Sequence, residues 1–423
     1  MMIALRHVSC ASLLLVGGLA VPVLAQQSQE SCVTCHGSFS DARLGGPVRA
    51  YTEDVHAAKG FGCVACHGGD ALDLGMTAMD PAKGYVGVPG REELLLVCGR
   101  CHSSAGFMRR YNPALRVDQV AEYRTSVHGE LLLERGDERV ATCVDCHPAH
   151  AVKPPSEPTS SVHPLNVAET CGRCHADRDY MQSYAISTDQ HDKYLLSIHW
   201  EKLSVEGDLG APTCNDCHGN HGASPPGVTW VGNVCGQCHS VMAELFNKSR
   251  HSQVFAMLGN PGCATCHGNH EIKPAGDEML GIGEGSVCGM CHAPTDAGGM
   301  AAAEMRSLVD SLKFAHAVAD SLLSKAENAG MEVSQAQFEL SGATTALINA
   351  RTGVHSFAVD HVREAVDEGV EVALSAQARG RSALGDLRFR RLGLAVSVGI
   401  ILILIAGLVF KIRQLEPAKA RQT

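Results

Sequence analysis

Aromatic side chains are scarce. Phe, Tyr and Trp make up 4% of 423 residues, although 45% of the chain is hydrophobic. Aromatics ordinarily supply much of the bulk of a buried core, so a large conventional core is excluded unless something other than side chains fills it. Positive charge is also in deficit. The formal net charge of −10 argues against a nucleic-acid partner and for neutral or basic protein partners. Cysteine is missing from the whole region after Cys291, and Cys10 aside, every Cys lies between Cys32 and Cys291. Long apolar runs are lacking too, except near the two ends.

Residues 1–25 carry one Arg, an apolar stretch from Ala11 and a small-residue close at Val23-Leu24-Ala25. That is the layout of a cleavable export signal. Gly17, Gly18 and Pro22 interrupt the stretch and leave it short for a membrane span. Cleavage would remove Cys10. At the other end, Leu392 to Phe410 contains no charge and is flanked by Arg388, Arg390 and Arg391 and by Lys411 and Arg413. A single membrane helix over 392–410 is expected. Basic residues on both flanks leave its direction undecided by charge. The export signal decides it: the bulk of the chain lies in the periplasm, and residues 411–423 form a tail in the cytoplasm.

The cysteines fall into one signature, written nine times. It reads CVTCH (Cys32, Cys35, His36), CVACH (Cys63, Cys66, His67), CGRCH (Cys98, Cys101, His102) and CVDCH (Cys143, Cys146, His147). It continues as CGRCH (Cys171, Cys174, His175), CNDCH (Cys214, Cys217, His218) and CGQCH (Cys235, Cys238, His239). CATCH (Cys263, Cys266, His267) and CGMCH (Cys288, Cys291, His292) complete the set. A CxxC pair alone fits zinc or a redox dithiol equally well. The trailing His separates them. Zinc does not need an imidazole locked beside the second thiolate, and a dithiol does not need one at all. Covalent haem needs all three residues, because the thiols add across the porphyrin vinyl groups and the adjacent imidazole then reaches the iron. Nine covalently attached haem c groups are expected.

Haem also resolves the shortage of aromatics. With one motif for roughly every 29 residues between Cys32 and His292, macrocycles form the core and polypeptide wraps them. The expected fold is mostly α and irregular with little sheet. A haem-packed cytochrome domain spans 26–298, followed by a helical stalk over 299–391 and the membrane helix.

Two kinds of motif alternate. One continues past its His into a polar turn that often ends in another His, as in CVDCHPAH, CNDCHGNH and CATCHGNH. The other is CGxCH. A further His precedes each motif of the first kind in a helix-like context, at His56, His128, His199 and His251. The repeat is therefore His, then CxxCHxxH, then CGxCH, used four times after a lone first motif. The first copy departs from it, with Asp70 where later copies carry His150, His221 and His270. The repeated placement marks His56, His128, His199, His251, His150, His221 and His270 as sixth ligands of iron. His163 and His355 join them as single additions, while His191, His316 and His361 also remain available. The turn histidines are too close to their own motif to reach around it, so each is expected to serve a neighbouring haem.

The stalk is rich in Ala, Leu, Val and Glu. Leu308, Leu312, Ala315, Ala319 and Leu322 follow one helical stripe, with His316 on it, and Val359, Val362, Val366 and Val370 follow another. Gly330 and Gly353 divide it into about three helices, the last continuous with the membrane span.

The alternation of CxxCHxxH and CGxCH over 32–292 resembles multihaem c-type cytochromes with doubled CxxCH modules. That group includes class III cytochromes c and the membrane-anchored quinol-dehydrogenase cytochromes of the NapC/NirT type, which carry an N-terminal anchor and fewer haems. The resemblance implies a periplasmic relay of low-potential, bis-histidine haems. Its partners would be a quinol-oxidising membrane complex on one side and periplasmic or outer-membrane acceptors on the other. The alternative is a multihaem oxidoreductase acting on a small nitrogen or sulfur compound at one five-coordinate haem, as the octahaem hydroxylamine-oxidising group does. That group's CxxCK variant is missing from this chain.

Overall fold

The structure is a computed structural model and describes residues 30–223 and 232–419; the expected export signal lies outside the described residues. Among the described residues, regular structure is helical throughout and no strand occurs. The chain divides into two compact units, one ending at His163 and the other beginning at Pro164. That division falls inside the region that the sequence reads as one cytochrome domain.

The first unit carries motifs one to four on short helices, Ser31–His36, Val64–His67, Glu93–His102 and Cys143–Cys146. Its buried apolar residues, such as Leu95, Met108, Leu132 and Val140, are scattered and build no continuous core. In the second unit, motifs five to nine occupy Pro164–His175, Cys214–His218, Gly232–Cys235 and Gly262–His267, with a 3₁₀ turn at Cys288–Met290.

Each histidine that precedes a repeat sits on a helix started by the same device. Val55–Ala58, Val127–Arg135, Ile198–Ser204 and Arg250–Leu258 are capped by Asp54, Ser126, Ser197 and Ser249. Each cap accepts a backbone N–H of the first turn, which satisfies a donor the helix leaves free. All four caps are buried. The three serines also donate to the carbonyl three residues back, Ser126 to Tyr123 at 2.7 Å, Ser197 to Tyr194 at 2.6 Å and Ser249 to Phe246 at 2.7 Å. The tyrosines complete the joint. Tyr51, Tyr123 and Tyr194 donate their hydroxyls to the carbonyls of Phe61, Ala141 and Pro212, each two residues ahead of the repeat's first cysteine.

The second unit also holds the only extended apolar core among the described residues, a bundle of three helices: Ala297–Asn328, Ser334–Gly353 and Val359–Lys419. Its first helix buries Met305, Val309, Leu312, Ala315, Ala319 and Leu323. The stripe thus runs through Val309 and Leu323, where the sequence suggested Leu308 and Leu322. The helix packs against both others, so its buried face keeps Leu312, Ala315 and Ala319 and is wider than the narrow stripe that the pattern suggests. His316 lies off that face, and its Nε2 is 3.0 Å from the Thr344 hydroxyl on the second helix. The third helix contributes Val362, Val366, Ala373 and Ala376 to the core and then leaves it. At 61 residues it is about 90 Å long. Beyond the bundle it is apolar on all sides, with a mean hydropathy of 2.8 in its most apolar stretch and none of that stretch buried. A helix exposed in this way is consistent with a single-pass anchor.

Candidate metal centres

Six of the motif histidines face a second imidazole. Ring centres are 5.9 Å apart for His67 and His150, 6.0 Å for His56 and His102, and 6.4 Å for His199 and His239. They are 6.1 Å apart for His218 and His270, 6.0 Å for His251 and His292, and 6.1 Å for His267 and His355. The distance has a meaning. Metal–imidazole bonds of about 2.0–2.1 Å on each side, plus roughly 1.1 Å from nitrogen to ring centre, put two axial imidazoles roughly 6 Å apart.

The pairing obeys a register. The histidine on a capped helix faces the CGxCH histidine of its own repeat: His56 with His102, His199 with His239, His251 with His292. The turn histidine faces the first motif of the repeat before it: His150 with His67, His270 with His218. His355, from the joint between the second and third bundle helices, takes that place opposite His267. Backbone bonds hold the turns there. Val55 N–H donates to the Val152 carbonyl and Ile198 N–H to the Ile272 carbonyl, both at 2.8 Å. The two turn histidines occupy the left-handed region, His150 at φ 66° and His270 at φ 56°. Such backbone costs a non-glycine residue about 1–3 kcal/mol and persists where its surroundings fix it.

The ring nitrogens are disposed to suit a metal. His56 Nδ1 is 2.8 Å from Asp54, His67 Nδ1 is 2.7 Å from the Gly87 carbonyl, and His355 Nδ1 is 3.0 Å from the Thr352 carbonyl. His292 Nδ1 is 3.2 Å from Asp296, which also caps the first bundle helix by accepting from Gly299 N–H at 2.7 Å. A β-carbon at Gly298 would lie 2.2 Å from the His292 ring, so that ring needs a glycine there. With Nδ1 engaged, Nε2 is left for the metal and the ring is held in orientation. His316, whose Nε2 is taken by Thr344, does not have that form. Burial, and then repulsion from the imidazole opposite, lowers the pKa of His150, His199, His251, His267 and His270. Each shift favours the neutral imidazole, the form that binds a metal. The residues present therefore fit an iron held between each pair.

The cysteines place neighbouring motifs side by side. Cys98 and Cys143 are in hydrogen-bonding contact, as are Cys171 and Cys214, and Cys235 and Cys263. Cys32 and Cys63 lie within 4.8 Å of each other, with Glu30 beside them. Inside a repeat, Cys66 is an electrostatic neighbour of Cys101, Cys217 of Cys238, and Cys266 of Cys288 and Cys291. Arg100 of the third motif also donates to the Ala65 carbonyl of the second at 2.9 Å. Motifs one to four in the first unit, and five to nine in the second, thus adjoin one another in sequence order.

The remaining predicted ligands stand as follows. His128 lies on its capped helix and is half-buried, His163 is buried just ahead of Pro164, and His221 is half-buried with its N–H on the Asn220 side chain at 2.6 Å. His191 packs against Gly172 and is 3.3 Å from Asp192. Residues 210–293, which hold motifs six to nine, match the cytochrome c3 family. That match, over about a fifth of the chain, supports a multihaem c-type cytochrome. No curated protein and no solved structure matches the chain. The family implies covalently bound haem c, electron transfer and redox partners.

The caps and tyrosines were missed by the sequence reading. Their signal is there: an aromatic residue, two positions, Ser or Asp, one position, then His, at Tyr51, Tyr123, Tyr194 and Phe246.

Proposed function

We propose that all nine motifs carry haem and that the protein is an electron relay tethered to the outer face of the cytoplasmic membrane. It passes electrons between a quinol-linked membrane donor and periplasmic or outer-membrane acceptors. The observation that carries this reading is the set of six imidazole pairs, each spaced for one iron, on motifs that adjoin in sequence order. Haem c supplies a one-electron ferric/ferrous couple at each motif. The chain supplies the rest. The capped helices and turns would hold the imidazoles that bind the iron, and a site with two imidazoles would change little between oxidation states, which suits fast transfer. The adjoining cysteines bring consecutive attachment points together. His128 and His221 are taken as further ligands.

The anchor sets the geometry of use. With the export signal removed, the third bundle helix would run through 392–410 into the membrane, and residues 411–423 would lie in the cytoplasm. His355 would then join the anchored bundle to the eighth haem.

Stopped-flow mixing of the fully reduced holoprotein with an oxidised soluble c-type cytochrome tests the relay. All nine haems are expected to discharge in a connected process. A fraction that stays reduced on that timescale contradicts it.

A further inference from the structure

His36 differs from the six paired motif histidines. Among the described residues, the ring set against it is Phe39, edge-on at 6.2 Å and 63°. Phe39 is three residues further along and offers no lone pair. The register says why no imidazole is there. Cys32 stands to Cys63 as Cys98 stands to Cys143 and Cys235 to Cys263, so the first motif holds the place of a repeat's second half. In that place the opposite imidazole comes from a capped helix ahead of the repeat's first motif. Neither described residue ahead of Cys32, Glu30 nor Ser31, is a histidine.

The same register accounts for Asp70. The position three residues past a first motif serves the first motif of the preceding repeat, and among the described residues no such motif lies ahead of Cys63. Asp70 has no iron to serve. Its carboxylate instead accepts from Leu72 N–H at 3.0 Å and from Lys83 Nζ at 3.1 Å. The Asp70 turn still lies against the first motif, where Ser31 N–H donates to the Ala71 carbonyl at 2.9 Å.

We infer that the iron bound by His36 keeps its sixth position open and takes a small neutral π-acceptor, a diatomic such as carbon monoxide or nitric oxide. Glu30 points to a neutral ligand. Its carboxylate accepts from Cys63 N–H at 2.7 Å beside this motif, and a negative charge there disfavours anions. The inference rests on haem attachment at the first motif, part of the reading above.

The test uses purified, dithionite-reduced holoprotein with carbon monoxide, alongside its intact mass. One carbon monoxide per chain is expected to bind. The C32S/C35S variant should lose one haem and the adduct together while its remaining haems stay low-spin. A nine-haem protein that forms no adduct overturns the inference and leaves the relay standing, as does an adduct that survives in the variant. A wild-type chain with the first motif unmodified overturns both. Should the variant not accumulate, resonance Raman of the wild type decides: one high-spin haem is expected, and an entirely low-spin spectrum contradicts the inference.

Discussion

Asp54 has more partners than its counterparts Ser126, Ser197 and Ser249. Besides capping its helix, it lies 2.8 Å from His56 Nδ1 and accepts from Val152 N–H at 2.8 Å. A carboxylate on the far nitrogen makes the imidazole a stronger donor and favours ferric iron. D54N is therefore expected to raise the potential of one haem. A tenfold shift of a one-electron couple is about 59 mV, so a change on the order of tens of millivolts is expected in a spectroelectrochemical titration. H270M should move one haem further upward, because a thioether favours ferrous iron. At this scale the motifs were fully legible, since covalent haem leaves three residues in a fixed string. His270 was legible as a ligand for a neighbour because its own motif is too near. The Tyr51, Tyr123 and Tyr194 anchors were not, because a hydroxyl bonded to a distant carbonyl leaves only a sparse mark in sequence. His316 was misplaced because the buried face runs through Leu312, Ala315 and Ala319 and leaves His316 outside it, beside Thr344.

Among the elements, the capped helices and the bundle differ in what holds them. Ser197→Ala removes a buried cap and leaves donors free, with an expected loss of about 1 kcal/mol and a weaker hold on His199, measurable by chemical denaturation of the holoprotein. The bundle is tied to the loop between motifs eight and nine through Asp277, whose side chain is 9% exposed. Arg351 grips it with two bonds of 2.8 Å and Lys313 with one of 2.9 Å. The Arg351 hydrogen bonds, ahead of the Lys313 contact, hold its carboxyl well below the usual range. A depressed carboxylate contributes stability that is complete above its unfolded pKa of about 3.9 and lost as pH falls through the folded value. With Arg351 and Lys313 partly in solvent, D277N should cost about 1–2 kcal/mol at neutral pH. The cost should shrink as pH falls below about 3.9, as thermal melts across pH 2–7 would show. The three helices were legible from Gly330 and Gly353, and so was the Val362 and Val366 stripe of the third; the full face of the first was legible only in part, because a helix with two partners hides more than its most regular stripe.

Over the whole molecule, apolar side chains are concentrated in the bundle and thin around the motifs. Too little apolar surface remains around the motifs to offset chain entropy without the macrocycles. Chains made without haem attachment should be digested by protease through 30–298 while the bundle survives. Equal loss of both would contradict a haem-built core. The formal charge of −10, added to by haem propionates, should make docking with redox partners weaken as salt rises.

Electron paramagnetic resonance of the oxidised holoprotein tests the paired-imidazole claim most directly. Low-spin signals of two kinds are expected, rhombic from the near-parallel pairs at 14°, 4° and 18° and strongly anisotropic from the steep pairs at 89° and 69°. A spectrum dominated by high-spin ferric iron, or a protein loaded with zinc and silent in resonance, would contradict it.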